Sequence, residues 1–359
     1  MSAEGPSRID GVCAALAARL GMAADDLVPL ADTGLAHDHV VIADSGTLAR
    51  IPKQSQMDLA AEENLIYQAA CFERAGASGH TPRLHDVLAP DAALPMGALI
   101  VDRIEGRPLR LPDDLTTMAE CLAAIHALPL PEDSIRAPLK NPPDSLADTF
   151  TEILAQSAYI GMAGLHPESE AQIREELQAA GRTLAGRDRP LTCLIAFDAH
   201  PGNYLLDTTG RAILVDLEKA RYGAPGFDLA HATLYTSTTW DVASRAVLSE
   251  AQIAAFHDAW LAAVPEALAI ASMPWLKPLR RMMWLWSVTW CAMWCVQSRE
   301  AAAQSGTSAN WSSELSDDAL ISHVADRVAD YLDPNTIAQV RMDWAEPDAV
   351  VRPATSLSP

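Results

Sequence analysis

The stretch Leu194–Ala230, LIAFDAHPGNYLLDTTGRAILVDLEKARYGAPGFDLA, decides how the whole chain is read. An apolar run leads into a loop that carries Asp198, His200 and Asn203, and Pro201-Gly202 forces a turn inside it. Tyr204–Leu206 then reads as a strand, Asp207–Gly210 as a turn, and Ala212–Val215 as a second strand that ends on Asp216. A β-hairpin of this kind brings the Asp198/Asn203 loop and Asp216 to the same end of two neighbouring strands.

A carboxylate, an amide and a second carboxylate converging on one point suit phosphoryl transfer from a nucleotide. One carboxylate orients an acceptor hydroxyl and takes its proton. The amide and the other carboxylate hold hard Mg²⁺ ions against the phosphate oxygens. The chemistry asks for positioning and charge stabilisation more than for covalent catalysis.

The run D-x-H-P-G-N, with V-D-x-E placing Asp216 thirteen residues after Asn203 and G-F-D-L-A beyond it, resembles the catalytic segment of the aminoglycoside phosphotransferase and choline kinase family. The resemblance implies a bilobal, protein-kinase-like α+β fold, with a small antiparallel-sheet lobe before a larger, mostly helical one. It implies ATP and Mg²⁺ as cofactors and a small-molecule hydroxyl as acceptor. Asp198 would be the catalytic base, Asn203, Asp216 and Glu218 the metal-side residues, and Asp228 a buried brace for the catalytic loop. His200 matches the family's loop histidine. Many relatives carry His-Gly before the catalytic Asp, whereas this chain has Ala196-Phe197. That departure leaves open a catalytically silent, kinase-like nucleotide-binding protein with a regulatory role.

The N-terminal half extends the resemblance. Three strand-like runs (Leu27–Leu30, Val40–Ala43, Thr47–Ile51) follow a leading helix at 9–24, and Thr33-Gly34 sits where a nucleotide-covering turn belongs. Leu48-Ala49-Arg50-Ile51-Pro52 resembles the family's L-R-x-P strand, so Arg50 would face the α- and β-phosphates, with Lys53 beside it. On the next helix, about Asp58–Ala75, Glu62 is favoured over Glu63 as a partner for that base. Ala98–Gly106 resembles the linker between lobes whose backbone contacts adenine, which singles out Val101 and Arg103. Leu122-x-x-Ile125-His126 resembles a family helix end at which the histidine is packed. The resulting division is a nucleotide-binding lobe with hinge at 1–106, a catalytic and acceptor-binding lobe at 107–346, and a loose tail at 347–359.

Composition narrows the partners. With 359 residues, 49% apolar, the chain has material for two lobes and a large core. Lys plus Arg number 26 against 47 Asp plus Glu, a formal charge of −21 that argues against nucleic acid and anionic membranes. A cationic amino alcohol or aminoglycoside-like acceptor suits that charge. Nine Trp against five Phe is the other anomaly, and Trp286, Trp290 and Trp294 fall on one helix face in Leu279–Gln297. They form either a core stripe or an aromatic cage for an ammonium group. His200, Asp241, Trp286 and Trp290 are the candidate acceptor residues, with His231, Tyr235 and Trp240 beside them. The apolar run Met282–Val296 is too short to span a bilayer and reads as a buried helix. Six scattered cysteines and an N-terminus without a signal-peptide pattern point to the cytoplasm.

Overall fold

A computed structural model describes residues 8–31, 36–303 and 318–344. The turn at Thr33-Gly34 and the tail 347–359 lie outside the described residues. Helix α1 (Arg8–Leu20) precedes strands β1 (Leu27–Pro29), β2 (His37–Ile42) and β3 (Thr47–Pro52). Helix α2 (Ala61–Gly76), β4 (Leu84–Leu88) and β5 (Ala98–Asp102) complete an antiparallel sheet in the order β1-β2-β3-β5-β4.

The period-2 alternation of these strands gives the sheet two buried faces. Val40, Ile42, Ala49, Ile51, Ala98 and Ile100 pack with Leu16 of α1. Leu99 and Val101 face the other way, onto Leu65, Cys71 and Phe72 of α2. The same alternation puts His37, His39 and Arg50 on the α2 side, with His39 and Arg50 directly opposite in the β2–β3 register. Covering both faces explains why these strands are apolar with polar residues only at chosen positions.

The short strand β6 (Gly106–Pro108) leaves this sheet and pairs with the hairpin of β8 (Tyr204–Asp207) and β9 (Ala212–Leu214). A second pair joins β7 (Cys193–Ile195) to β10 (Arg221–Gly223). Between β6 and β7 run helices α3 (Leu115–His126), α4 (Ser145–Ser157) and α5 (Pro167–Ala185). After β10 come α6 (Pro225–Thr233), α7 (Tyr235–Thr238), α8 (Glu250–Ala263), α9 (Glu266–Ser272) and α10 (Leu276–Ala303), then helices Asp318–Tyr331 and Pro334–Arg341.

Helix α8 starts at Glu250, where Ser249 and Gln252 form a reciprocal capping box. Helix α10 is the buried helix expected from Met282–Val296; Met283, Trp284, Leu285, Val288 and Ala292 are wholly enclosed. It lies tightly on α6, where a β-carbon at Gly226 would come within 2.6 Å of Leu279. Among the described residues no helix is long and apolar enough to cross a membrane.

Candidate active site

Strand β7 delivers the chain into the catalytic loop, and Asp228 of α6 fixes how it leaves. The buried Asp228 carboxylate accepts the backbone N–H groups of Ala196 and Phe197, each at 2.7 Å. Phe197 takes φ 61°, the left-handed region that favours glycine, and so turns Asp198 out of the strand direction. Behind Asp228 stands His126, whose Nε2 lies 3.0 Å from the carboxylate, and Trp260 Nε1–H donates to His126 Nδ1 at 3.0 Å. Indole only donates, so Nδ1 accepts and Nε2 carries the proton toward Asp228. His126 is therefore packed, as its helix-end motif implied.

The rest of the loop is held from within. His200 Nδ1 accepts the Gly202 N–H at 3.2 Å, capping the single turn Pro201–Asn203. A β-carbon at Gly202 would sit 2.7 Å from Asp241 Cβ, which is why a glycine follows the proline. Asp241 itself accepts from the Ser244 N–H and Oγ–H, so its carboxylate organises the following loop. Asn203 Nδ2 donates to the Asp198 carbonyl at 2.8 Å, and Val215 N–H donates to the Asn203 carbonyl at 2.9 Å. The hairpin thereby ties the Asp198 loop to the strand that ends at Asp216.

The Asp198 side chain meets two cations or potential cations. Lys219 Nζ donates to Oδ2 at 2.7 Å, and His231 Nδ1 lies 3.6 Å from Oδ1. Burial alone would raise the Asp198 carboxyl, yet Lys219, then His200 and His231, hold it well below the usual carboxylate range. Asp198 is thus ionised, as a proton acceptor must be. Burial pushes His231 down to about 4, so it is neutral at physiological pH. The Lys219 ammonium also lies 5.8 Å over the Trp286 ring.

The second carboxylate is reached from the sheet across 166 positions of chain: Arg50 Nη2 donates to Asp216 Oδ1 at 2.5 Å. Arg50 is almost wholly buried and also approaches His37 Nδ1 at 3.0 Å and His39 Nε2 at 3.3 Å. Burial, followed by Arg50, keeps His37 well below its ordinary pKa and brings His39 down to about 4. Glu218 is buried behind Asp216, and burial followed by the Asp216 charge pushes its carboxyl up to about 8.

The structure brings Asp198, Asn203, Asp216, Glu218 and Arg50 together and leaves other candidates apart. Glu62 lies on the exposed side of α2, and no hydrogen bond or ion pair joins it to Arg50. The buried polar positions of α2 are Asn64 and Gln68, one helical turn apart, and Gln68 Oε1 meets His37 Nε2 at 3.0 Å. Arg103 donates its N–H to the Gly46 carbonyl, so that group is already taken, and Val101 lies buried inside the ladder opposite Leu48. Gly34 falls outside the described residues.

Trp286 and Trp290 are partly buried and belong chiefly to the core. Trp286 packs edge-on against Phe197 and donates Nε1–H to Glu152 at 3.0 Å, while Trp290 packs on Trp240. Sequence reasoning passed over His37, His39, Lys219 and Glu152. The H-x-H spacing on a strand opposite Arg50 was the available signal for the first two. Lys219 stands in D-x-E-K beside recognised carboxylates. Glu152 carried none, because its partners Lys140, Arg221 and Trp286 come from distant segments.

The donor set at Asp216 fits a hard divalent cation. Asn203 spends Nδ2 on the Asp198 carbonyl, so Oδ1 is the atom it could offer a cation. Glu218 Oε2 is buried without a hydrogen-bond partner, as an oxygen awaiting a cation would be. His37, Asp216 and Glu218 each present one possible ligand atom within 4.8 Å of the others. Arg50 already occupies the space between His37 and Asp216.

A two-layered sheet lobe over a helical lobe, with this loop and hairpin between them, defines a protein-kinase-like fold. A model of the phosphotransferase enzyme family matches residues 39–269, and the chain belongs to that family of small-molecule kinases. No curated protein matches its sequence. Among solved structures, a choline/ethanolamine kinase family protein from Mesorhizobium loti is similar at 17% identity, covering 94% of this chain and 100% of that one, with a TM-score of 0.55. Choline kinase LicA from Streptococcus pneumoniae is 13% identical over 90% of this chain and 99% of its own, with a TM-score of 0.53. A thermostable mutant of aminoglycoside phosphotransferase APH(4)-Ia, in a ternary complex with AMP-PNP and hygromycin B, is 16% identical over 90% and 99%, with a TM-score of 0.56.

Proposed function

We propose that this kinase transfers the γ-phosphoryl group of Mg-ATP to a hydroxyl of a small, cationic acceptor such as an amino alcohol or an aminoglycoside-like compound. The observation that carries the reading is the meeting of Asp198, Asn203 and Asp216 at one hairpin end, with Arg50 reaching across from the sheet lobe to Asp216. The lobes divide near residue 106. The sheet lobe supplies Arg50 for the phosphates, and the helical lobe supplies the base and the acceptor wall.

Asn203 Oδ1, Asp216 and Glu218 would hold Mg²⁺, which when bound neutralises the phosphate oxygens. Asp198 accepts the acceptor's hydroxyl proton and aims its oxygen. Asp228, through the N–H groups of Ala196 and Phe197, keeps that carboxylate in place. The acceptor class is supported by the charge of −21 and by the similarity to kinases of choline and ethanolamine and to a phosphotransferase held with hygromycin B. Six free cysteines, five of them buried, suit the reducing cytoplasm.

The test is an ATP-consumption screen over amino alcohols, aminoglycosides, neutral sugars and hydroxy amino acids, with product phosphorylation read by mass spectrometry. Phosphorylation of an amine-bearing acceptor is the expected result. Turnover confined to neutral or anionic hydroxyl compounds would remove the cationic acceptor, and no turnover with nucleotide binding intact would favour the silent protein.

A further inference from the structure

Two carboxylates serve the proposed reaction, and each is held by a cation. Arg50 sits on Asp216 at 2.5 Å and Lys219 on Asp198 at 2.7 Å. Arg50 has its place in the phosphate reading, whereas Lys219 has none. The Lys219 ammonium is fixed from two sides, by Asp198 Oδ2 and by the Trp286 ring at 5.8 Å. It lies three residues past Asp216 and directly after Glu218, on the segment that runs from the end of β9 toward β10. Lys219 therefore spans the interval between the Asp216 side of the site and the Asp198 side.

That interval is the path of the transferred group. A γ-phosphoryl group that reaches Asp216 through a cation and meets an acceptor oxygen resting on Asp198 must lie between the two carboxylates. Arg221, the neighbouring cation, is committed elsewhere: Nη1 bonds Glu152 at 2.8 Å and the guanidinium stacks 3.7 Å over Phe197. In an acidic chain, a cation parked on the base is the group at hand for the terminal phosphate.

We propose that Lys219 is a γ-phosphate ligand that exchanges partners: its ammonium leaves Asp198 for the terminal phosphate of a nucleoside triphosphate, and Asp198 is thereby released to receive the acceptor hydroxyl. This rests on the phosphotransferase reading above and adds to it how the base is kept engaged until a triphosphate arrives. A diphosphate does not reach Lys219, so the lysine distinguishes ATP from ADP. Trp286 gives the moving ammonium a second resting contact and limits how far it swings.

The test is isothermal titration of the full-length protein with Mg–AMP-PNP and with Mg–ADP, for the wild type, Lys219→Met, Lys219→Arg and Asp198→Asn. A charge-assisted contact to phosphate is worth roughly 10- to 100-fold in affinity. Lys219→Met is expected to weaken AMP-PNP by about that factor and ADP by less than about 3-fold. Lys219→Arg should keep most of the triphosphate affinity. Asp198→Asn, which removes the resting partner, should tighten AMP-PNP severalfold and leave ADP unchanged; this variant keeps the test sharp if Lys219→Met does not fold. Equal losses for both nucleotides, no loss for either, or an effect confined to the acceptor's KM would each overturn the assignment. Failure of the wild type to bind either nucleotide would instead overturn the phosphotransferase reading on which it rests.

Discussion

Asp228 and Phe197 are locked together: the Asp228 Oδ1 atom accepts the Phe197 N–H at 2.7 Å while Phe197 holds φ 61°. A bulky residue in the left-handed region stores about 1 kcal/mol or more of backbone strain. The ring offsets it by packing edge-on against Phe227 and Trp286 and by lying under the Arg221 guanidinium. The aromatic packing thus fills the space behind the turn.

A reversal of the usual Ala–Gly order follows. Phe197→Ala loses the buried ring and keeps the strain, which should destabilise by about 3–5 kcal/mol. Phe197→Gly loses the same ring and relieves the strain, so it should be about 0.5–1 kcal/mol more stable than the alanine variant. Urea denaturation midpoints of the two variants decide it. An alanine variant as stable as the glycine one would mean that the turn has relaxed.

Asp228→Asn tests the brace rather than the turn. The carboxylate accepts from Ala196 N–H, Phe197 N–H and His126 Nε2, all in a site closed to water. An amide retains one acceptor oxygen and turns two donors toward donors. The unpaired groups should reduce stability by about 2–4 kcal/mol. The catalytic loop should loosen with them, so kcat should fall more than the KM for nucleotide, because Arg50 and Asp216 are untouched. A variant with wild-type kcat would show that Asp198 is placed by its own loop contacts.

Much of this site was legible because its chemistry is local. D-x-H-P-G-N and V-D-x-E sit on a hairpin whose turn residues are written in the sequence, so the sequence alone places Asp198, Asn203 and Asp216 together. Glu62 failed for a reason equally physical. Helix α2 buries Asn64, Gln68 and Cys71, and that stripe rotates Glu62 into solvent. The Trp face of α10 was legible as a stripe but not as core or cage, since the answer lay with Phe197, Trp240 and Glu152 from three other segments. Arg50 could be tied to phosphates from its strand motif; its pairing with Asp216 needed the sheet to be folded over the hairpin.

The two carboxylates should separate catalysis from binding. Asp198→Ala is expected to lower turnover by at least about 10²-fold, the usual scale for a general base, while Mg-nucleotide still binds. Asp216→Ala removes Arg50's partner and the carboxylate that would hold the cation, so Mg-nucleotide binding itself should weaken. Titration calorimetry alongside initial rates distinguishes the two. Near-full activity of Asp198→Ala would refute the base assignment.

Acid should destabilise the metal-free protein well above the pH at which its carboxylates titrate. His39, His231 and His257 are each lowered to about 4, chiefly by burial, and burial also holds His37 well below its ordinary value. Above pH ~6.5 these imidazoles are neutral folded or unfolded and contribute no pH dependence. Between pH ~6.5 and 4 the unfolded chain takes up their protons first, so stability falls as pH falls. Glu218 opposes them: raised to about 8 by burial and Asp216, it is protonated in the folded chain before the unfolded one, which adds stability as pH drops from about 8 to 4.5. Above pH ~6.5 Glu218 acts alone and gives a small gain toward acid; below it several histidines outweigh one glutamate, so the net slope there is a loss, and Asp198, held low, adds its own loss only below pH ~4. Denaturation midpoints measured in EDTA from pH 8 to 4 should show this. Glu218→Gln should steepen the loss by up to one proton, about 1.4 kcal/mol per pH unit, and His257→Gln should flatten it by a similar amount. A profile that stays flat from pH 7 to 5 in all three proteins would mean that these imidazoles reach water in the folded state.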